Sequence, residues 1–206
     1  PVGEGLSLLL HSPYNQEAIL FDTGSYFRGF DSGRVVILPA LKALNIQPTQ
    51  LILSLDNQQH RGGTRAIRTQ FPHLKLYSHP DLSPFTGGRN CFIHTIHLAD
   101  FVLEPILEIK KSCAYRLRFL NIASKEDDIA WIISDPNPHE WQSLLTKVEK
   151  TQQTPPKILL FPNQGRSRYF KRFSESALEL QTPLMLYSTK EIAPESKYTY
   201  QPPLAL

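Results

Sequence analysis

Short apolar runs separated by Gly, Pro and Asn turns run through the chain, and most of these runs have strand rather than helix length. Residues 5–10 (Gly-Leu-Ser-Leu-Leu-Leu) and 18–22 (Ala-Ile-Leu-Phe-Asp) read as two strands joined by a polar turn around Pro13-Tyr14-Asn15. Asp22-Thr23-Gly24 ends the second strand, and a loop with Gly29, Asp31 and Gly33 follows. The spacing predicts a helix over 35–44, with Pro39 near its first turn and Asn45 as its stop. Residues 51–54 read as a buried strand, 63–70 as a short helix and 74–77 as another strand. Phe92, Ile96, Phe101, Val102, Ile106 and Ile109 place strand-like runs in 91–109, and 113–120 and 129–134 read as further strands. A helix over 138–149 is opened by Pro138 and anchored by Trp141, Leu144, Leu145 and Val148 at helical spacing. Residues 158–161 give a strand that ends at Pro162-Asn163-Gln164-Gly165, and a helix over 166–180 and a strand over 184–188 close the domain. Strands in both halves with helices outside predict an α/β fold of two stacked sheets flanked by helices over residues 1–190. The tail, 191–206, with Pro194, Pro202 and Pro203, reads as extended or disordered.

Composition narrows the function classes. A chain of 206 residues with 41% hydrophobic content can bury the core of one well-sized domain. No run approaches the roughly 18 apolar residues of a transmembrane helix, and no signal peptide is visible. The start at Pro1 is that expected of an excised domain or processed segment. A net charge of +3 is too mild to imply nucleic acid by itself. Cys91 and Cys113 lack the C-x-x-C spacing of a zinc or redox site. They read as two buried thiols, with a bridged pair in an oxidising compartment as the alternative.

The candidate chemistry lies in Ser54-Leu55-Asp56-Asn57-Gln58-Gln59-His60-Arg61-Gly62-Gly63. A strand-end loop of this frame in a two-metal hydrolase carries His and Asp at alternating positions, so that their side chains converge. Here Leu55, Asn57, Gln59 and His60 stand in that pattern. Leucine cannot bind a metal, and neutral amides are poor substitutes for carboxylate or imidazole.

With further pieces in order, the sequence resembles the metallo-β-lactamase-like domain of the ComEC/Rec2-type DNA internalisation competence proteins. The pieces are Val2-Gly3-Glu4-Gly5, Leu20-Phe21-Asp22-Thr23-Gly24, Gly33-Arg34-Val35-Val36-Ile37-Leu38-Pro39, Leu51-Ile52-Leu53-Ser54 with Gly62-Gly63, Trp131-Ile132-Ile133-Ser134-Asp135, and Ile158 to Ser167. The resemblance covers about residues 1–190 and implies an αββα sandwich of two stacked mixed sheets. It also implies metal-assisted phosphodiester hydrolysis, in which clustered His and Asp hold two divalent ions. Carried over by position, Leu55 replaces the first His, Asn57 the second ligand and Gln59 the Asp beside His60. Asn163 and Gln164 replace a His-His pair. His60, Asp135 and the supporting Asp22 survive, with His60 and Asp135 as the residual metal candidates. Two ligands from different loops are too few for a tight site.

The expectation is therefore a catalytically degenerate domain with no cofactor, acting in DNA uptake by contacting incoming DNA or as a scaffold. The alternatives are a working nuclease, using zinc or manganese held by His60, Asp135 and further donors such as Asp56 or His139, and an interaction module without DNA contact. The resemblance also implies the partners and the place: incoming DNA, single- or double-stranded, the transmembrane and other domains of a parent protein, other competence proteins, and the periplasmic side of a bacterial inner membrane. Two basic groups are the candidate DNA contacts. Arg166, Arg168, Lys171 and Arg172 interleave with Tyr169, Phe170 and Phe173, and Arg61, Arg65 and Arg68 follow the altered loop at helical spacing on one short helix.

Each candidate has a plainer reading. His60 reads as a hydrogen-bonded loop histidine, Asp22 as a turn carboxylate accepting backbone N–H groups, and Asp135 as a cap on the turn at Pro136 or on the helix near Pro138. The aromatics of 166–173 could face the core while the cations stay solvated. His94 and His97, three apart on a strand, would point to opposite faces. His73 and His79 read as surface groups. Ser7, Ser54 and Ser134 show no Ser-His-Asp arrangement.

Overall fold

The computed structural model describes residues 6–12, 17–120, 130–134, 136–151, 158–161 and 184–187. The first half builds a five-stranded sheet from β1 (Leu8–His11), β2 (Ala18–Phe21), β5 (Gln50–Leu53), β6 (Lys75–Ser78) and β7 (Arg89–Asn90), in the order β1-β2-β5-β6-β7. Only β1 runs antiparallel to its neighbour. A two-residue-per-strand hairpin, β3 (Tyr26–Phe27) and β4 (Phe30–Asp31), projects from the connection after β2. The second half builds a six-stranded mixed sheet in the order β13-β12-β11-β10-β9-β8. Its strands are β8 (Ile96–His97), β9 (Phe101–Pro105), β10 (Ala114–Phe119), β11 (Ala130–Ile133), β12 (Ile158–Phe161) and β13 (Leu184–Tyr187).

Strand alternation sorts the apolar side chains into three cores. Ile19, Phe21 and Ile52 from the first sheet meet Leu103, Tyr115, Leu117 and Ile132 from the second, which makes the central layer. Their neighbours in sequence point the other way. Leu20, Leu51 and Leu53 pack under α1 (Leu38–Ala43) and α3 (Thr64–Gln70) with Leu41 and Ile67, and the one-turn helices α2 (Gln58–Arg61) and α4 (Ser83–Thr86) follow β5 and β6. Trp131 and Ile133 pack under α5 (Pro138–Thr151) with Trp141, Leu144, Leu145 and Val148. Helix, sheet, sheet and helix therefore stack in four layers, the α/β architecture that the sequence predicts.

Several elements differ from the sequence reading, each for a local reason. The helix expected over 35–44 begins earlier, as a π-helical turn, Gly33–Ile37, that runs into α1. Pro39 has no N–H and its ring crowds the carbonyl four residues back, so the wider turn relieves the helix there. Asn45 ends α1 as expected, at φ 53°, with Asn45 N–H donating to Lys42 O and Ile46 N–H to Leu41 O. The run over 91–109 forms only the short β8 and β9, preceded by the edge strand β7, with turns between. Cys91 and Cys113 are joined by a disulfide rather than standing as two thiols. His79 is buried, not a surface group: its Nε2 bonds to Lys110 O, and its Nδ1 accepts from Asp81 N–H. His73 is exposed.

Helix α5 is capped by Asn137, whose Oδ1 accepts from His139 N–H and Glu140 N–H, so the cap expected of Asp135 is supplied by its second neighbour. The helix expected over 166–180 and the tail 191–206 lie outside the described residues.

Candidate functional site at the strand ends

The β2 and β5 strands are parallel, so the loops that follow them emerge on one edge of the first sheet. The loop after β11 comes to the same place from the second sheet. Asp22 follows β2 at φ 59°, a left-handed conformation that costs a non-glycine residue about 1 kcal/mol. Its fully buried carboxylate holds that turn in place. Oδ1 accepts from Ser54 N–H at 2.7 Å, and Oδ2 accepts from Ser54 Oγ at 2.5 Å and from His60 Nδ1 at 2.7 Å. Ser134 Oγ donates to Ser54 Oγ at 2.9 Å, which extends the chain of bonds from the first sheet to the second. The four side chains are all buried, with His60 only 2% exposed.

The altered loop is spent on its own folding. Asn57 caps the short helix α2 (Gln58–Arg61): its Oδ1 accepts from Gln59 N–H and His60 N–H, both at 3.0 Å. Leu55 is half-buried, and Gln59 faces solvent. His60 O accepts from Thr23 N–H at 2.7 Å, and Gly62 N–H donates to Gly24 O at 2.8 Å, so the loop is stitched to the Asp22-Thr23-Gly24 turn. A Cβ on Gly63 would lie 2.5 Å from Gly33 N and from Thr23 O, and one on Gly62 would lie 2.1 Å from Tyr26 N. The Gly-Gly pair thus lets three backbone segments cross in van der Waals contact.

The structure brings Asp22, Asn57 and His60 together, with Leu55 and Gln59 in the same loop. Asp135, Asn163 and Gln164 lie outside the described residues, as do Arg166, Arg168, Lys171 and Arg172. A two-metal centre needs imidazole and carboxylate donors aimed at one point. In the described part of the loop Leu55 has no lone pair to offer and Asn57 Oδ1 caps a helix, which leaves His60 as the imidazole donor, its Nδ1 bonded to Asp22 in the way that orients a ring whose Nε2 binds metal. No group of three or more His, Cys, Asp or Glu side chains with metal-binding geometry occurs among the described residues. His94 is half-buried with its ring against Tyr77, while His97 is exposed on β8.

Sequence reasoning missed that Ser54 and Ser134 belong to this cluster. A serine directly after a buried apolar strand in each half was the available signal. The cluster is not a nucleophilic triad. Ser54 Oγ and Asp22 meet His60 at the same ring nitrogen, whereas acyl transfer needs the hydroxyl and the carboxylate on opposite nitrogens.

The arginines occupy different elements. Arg61 ends α2 and pairs with Asp56, Nε to Oδ1 at 2.6 Å. Arg65 and Arg68 lie on α3 beyond the glycines, both exposed, and Arg68 donates to Thr86 O at 3.2 Å. The continuous helical stripe expected from the sequence is therefore divided by Gly62-Gly63.

Two stacked mixed sheets with helices on their outer faces make this an αββα sandwich, with the cluster at the rim of the strand ends. The sequence is similar to that of Recombination protein 2 of Haemophilus influenzae, 40% identical over 75 residues, which is 36% of this chain and 9% of that protein. It is also 39% identical over 77 residues to the uncharacterized protein YcaI of Escherichia coli K12, or 37% of this chain and 10% of that one. The matched stretch is thus about a tenth of the length of these relatives. Among solved structures, the BLEG-1 B3 metallo-β-lactamase superimposes with a TM-score of 0.45 and 16% identity, over 68% of this chain and 77% of that one. No family model matches the chain.

Proposed function

We propose that this chain is a catalytically degenerate metallo-β-lactamase-like domain of a ComEC/Rec2-type DNA-uptake protein, contacting incoming DNA through a basic rim beside the former metal site. The observation that carries the reading is the fate of the altered loop. In the described loop Asn57 is taken up as a helix cap and His60 ties to Asp22 between the strand ends, while Leu55 offers no donor and Gln59 faces solvent. A loop used in this way keeps the fold after the donors of a two-metal site are gone. The similarity to Recombination protein 2 supports the parent-protein assignment.

The extracytoplasmic location belongs to the same proposal. A disulfide such as Cys91–Cys113 forms and persists in oxidising compartments. No helix among the described residues is long and apolar enough to cross a membrane, so the spans of such a parent would be supplied by other segments.

DNA contact is tested by fluorescence anisotropy with labelled single-stranded and duplex DNA across a salt series. Phosphate contacts release counterions, so log K falls linearly with log salt. Arg65→Ala with Arg68→Ala is expected to lower that slope by about 2 for duplex or somewhat less for a single strand. Arg166→Ala with Arg168→Ala is expected to weaken binding while leaving the fold intact. Salt-independent or absent binding would contradict DNA contact and leave the domain a scaffold for its parent and for other competence proteins.

A further inference from the structure

The β3–β4 hairpin gathers exposed aromatic rings on a short ribbon. Of its four strand residues, three are aromatic, and all three face solvent: Tyr26 is 49% exposed, Phe27 63% and Phe30 37%. Phe27 pairs directly with Phe30 across the ribbon, so these two rings share one face, and Tyr26 pairs with Asp31 on the other. Neither face is covered by the core, although aromatic residues are ordinarily among those that carry most buried area. Large apolar side chains gathered at the surface and rimmed by polar groups mark a binding site more often than an accident of packing.

The hairpin is held for display. Its tip is Arg28-Gly29, with φ of 47° and 83°, the tight two-residue connection that matches strand twist. Ser32 N–H donates to Ser25 O at 3.1 Å, and Ser32 Oγ donates to Ser25 O and Thr23 O, both at 2.8 Å, which clamps the base of the ribbon. Gly62 approaches the backbone at Tyr26 too closely for any side chain, so β3 is seated against α2. A fixed base and exposed tip lower the ordering cost of any ligand that stacks there.

The charge around the rings is mostly positive. The Arg28 guanidinium lies over the Phe27 ring, 5.0 Å from its centroid, and Arg34 is exposed three residues beyond Asp31. The acidic groups nearby are already engaged: Asp31 Oδ1 accepts from Arg34 N–H, and Asp56 pairs with Arg61. Flat aromatic faces interleaved with guanidinium groups are the chemistry that recognises unstacked nucleobases on a phosphate backbone. A duplex hides its base faces inside the stack and offers this hairpin only phosphates.

We infer that the hairpin Tyr26–Asp31 is a base-stacking finger for single-stranded DNA, in which Phe27 and Phe30 take bases on one face, Tyr26 takes one on the other, and Arg28 and Arg34 hold the flanking phosphates. This rests on the DNA-contacting reading above and adds to it the strand state and the place of contact. The test uses the whole chain, with anisotropy on three labelled probes: oligo-dT, a duplex of the same length, and an abasic deoxyribose-phosphate oligomer that keeps the charge but has no bases. Phe27→Ala with Phe30→Ala is expected to weaken oligo-dT binding about tenfold or more and to leave the abasic and duplex probes unchanged. Phe27→Trp with Phe30→Tyr is expected to keep the wild-type affinity for oligo-dT. Circular dichroism of each variant checks that the surface substitutions leave the fold intact.

The outcomes separate the two readings. If the wild-type protein binds DNA in a salt-dependent way and the double alanine variant binds oligo-dT equally well, the finger is overturned and the basic rim stands. If the variant loses the abasic probe as strongly as oligo-dT, the hairpin acts through charge or shape, and stacking is overturned. If the wild-type protein binds no DNA, both readings fall. In that case, binding of the aromatic tip to anionic vesicles would give the hairpin to a lipid surface instead.

Discussion

At the scale of single residues, the decisive groups are those that hold the strand ends together. Asp22 is buried and takes three donors from two later residues, so its removal leaves Ser54 N–H, Ser54 Oγ and His60 Nδ1 without that acceptor. Asp22→Ala is expected to cost about 3–5 kcal/mol, read as a drop in the urea midpoint at unchanged slope. Gly63→Ala would force a Cβ to within 2.5 Å of backbone atoms of Gly33 and Thr23, which cannot turn aside as a side chain can. A loss of about 3 kcal/mol is expected from the same measurement. The sequence made much of this residue scale visible. Asp22 was legible as a turn carboxylate, and Gly62-Gly63 stood out in the loop. The partnership of Ser54 with Ser134 was not visible, because the two lie in different sheets and meet only when those sheets stack.

At the scale of elements, helix boundaries carry the lesson. The 3.6-residue period placed α1 and α5 correctly, but periodicity does not register the room that Pro39 needs, and so it could not foresee the π-helical turn. Helix α5 opens at Pro138 as expected, and the side chain of Asn137 caps it there. Glu140 extends that cap: Oε2 accepts from Asn137 N–H, while Oε1 accepts from Lys110 N–H and Lys111 N–H, tying the helix to the loop before β10. Glu140→Ala is expected to lower stability by about 1–3 kcal/mol, measured by thermal or urea unfolding. A second tie is the Glu108–Lys147 ion pair. Burial pushes the Glu108 carboxyl up, but the hydrogen-bonded Lys147 ammonium, with help from a backbone bond and Arg116, draws it down below its ordinary range. A folded value below the unfolded one gives stability that is present above the ordinary carboxylate range and lost as pH falls through the folded value. Lys147 is about half exposed, so screening keeps the pair's worth to about 0.5 kcal/mol. Lys147→Met is therefore expected to lower the urea midpoint slightly at neutral pH and to have less effect in acid.

At the scale of the whole molecule, the two sheets are joined at several points. The central apolar layer holds them face to face. Tyr115 lies within that layer and donates its hydroxyl to Cys91 O, and burial pushes that phenol well above its ordinary range, so it stays a neutral donor. The disulfide links the end of β7 to the start of β10 across a sequence separation of 22. Changing Cys91 and Cys113 to Ser together is expected to cost about 3 kcal/mol, and reduction of the native protein should give a similar loss. The fold class was legible because strand alternation and helical spacing both survive in one sequence, and the order of motifs pointed to one architecture. The bridged cysteines stood only as the alternative to two buried thiols, since spacing alone does not bring residues 91 and 113 together. The neutral side chains at positions 55, 57 and 59 and the hydrogen-bonded His60 could be read residue by residue, but the use of Asn57 as a helix cap could not. That this loop holds strand ends together in place of a two-metal site is the central proposal, and metal content tests it most directly. Protein purified without chelator and analysed for zinc and manganese, then assayed for DNA cleavage with each ion added, is expected to hold no stoichiometric metal and to leave DNA intact, with Gln59→Asp no different. Stoichiometric metal with cleavage that is lost on chelation would contradict the account and require a rearranged site around His60.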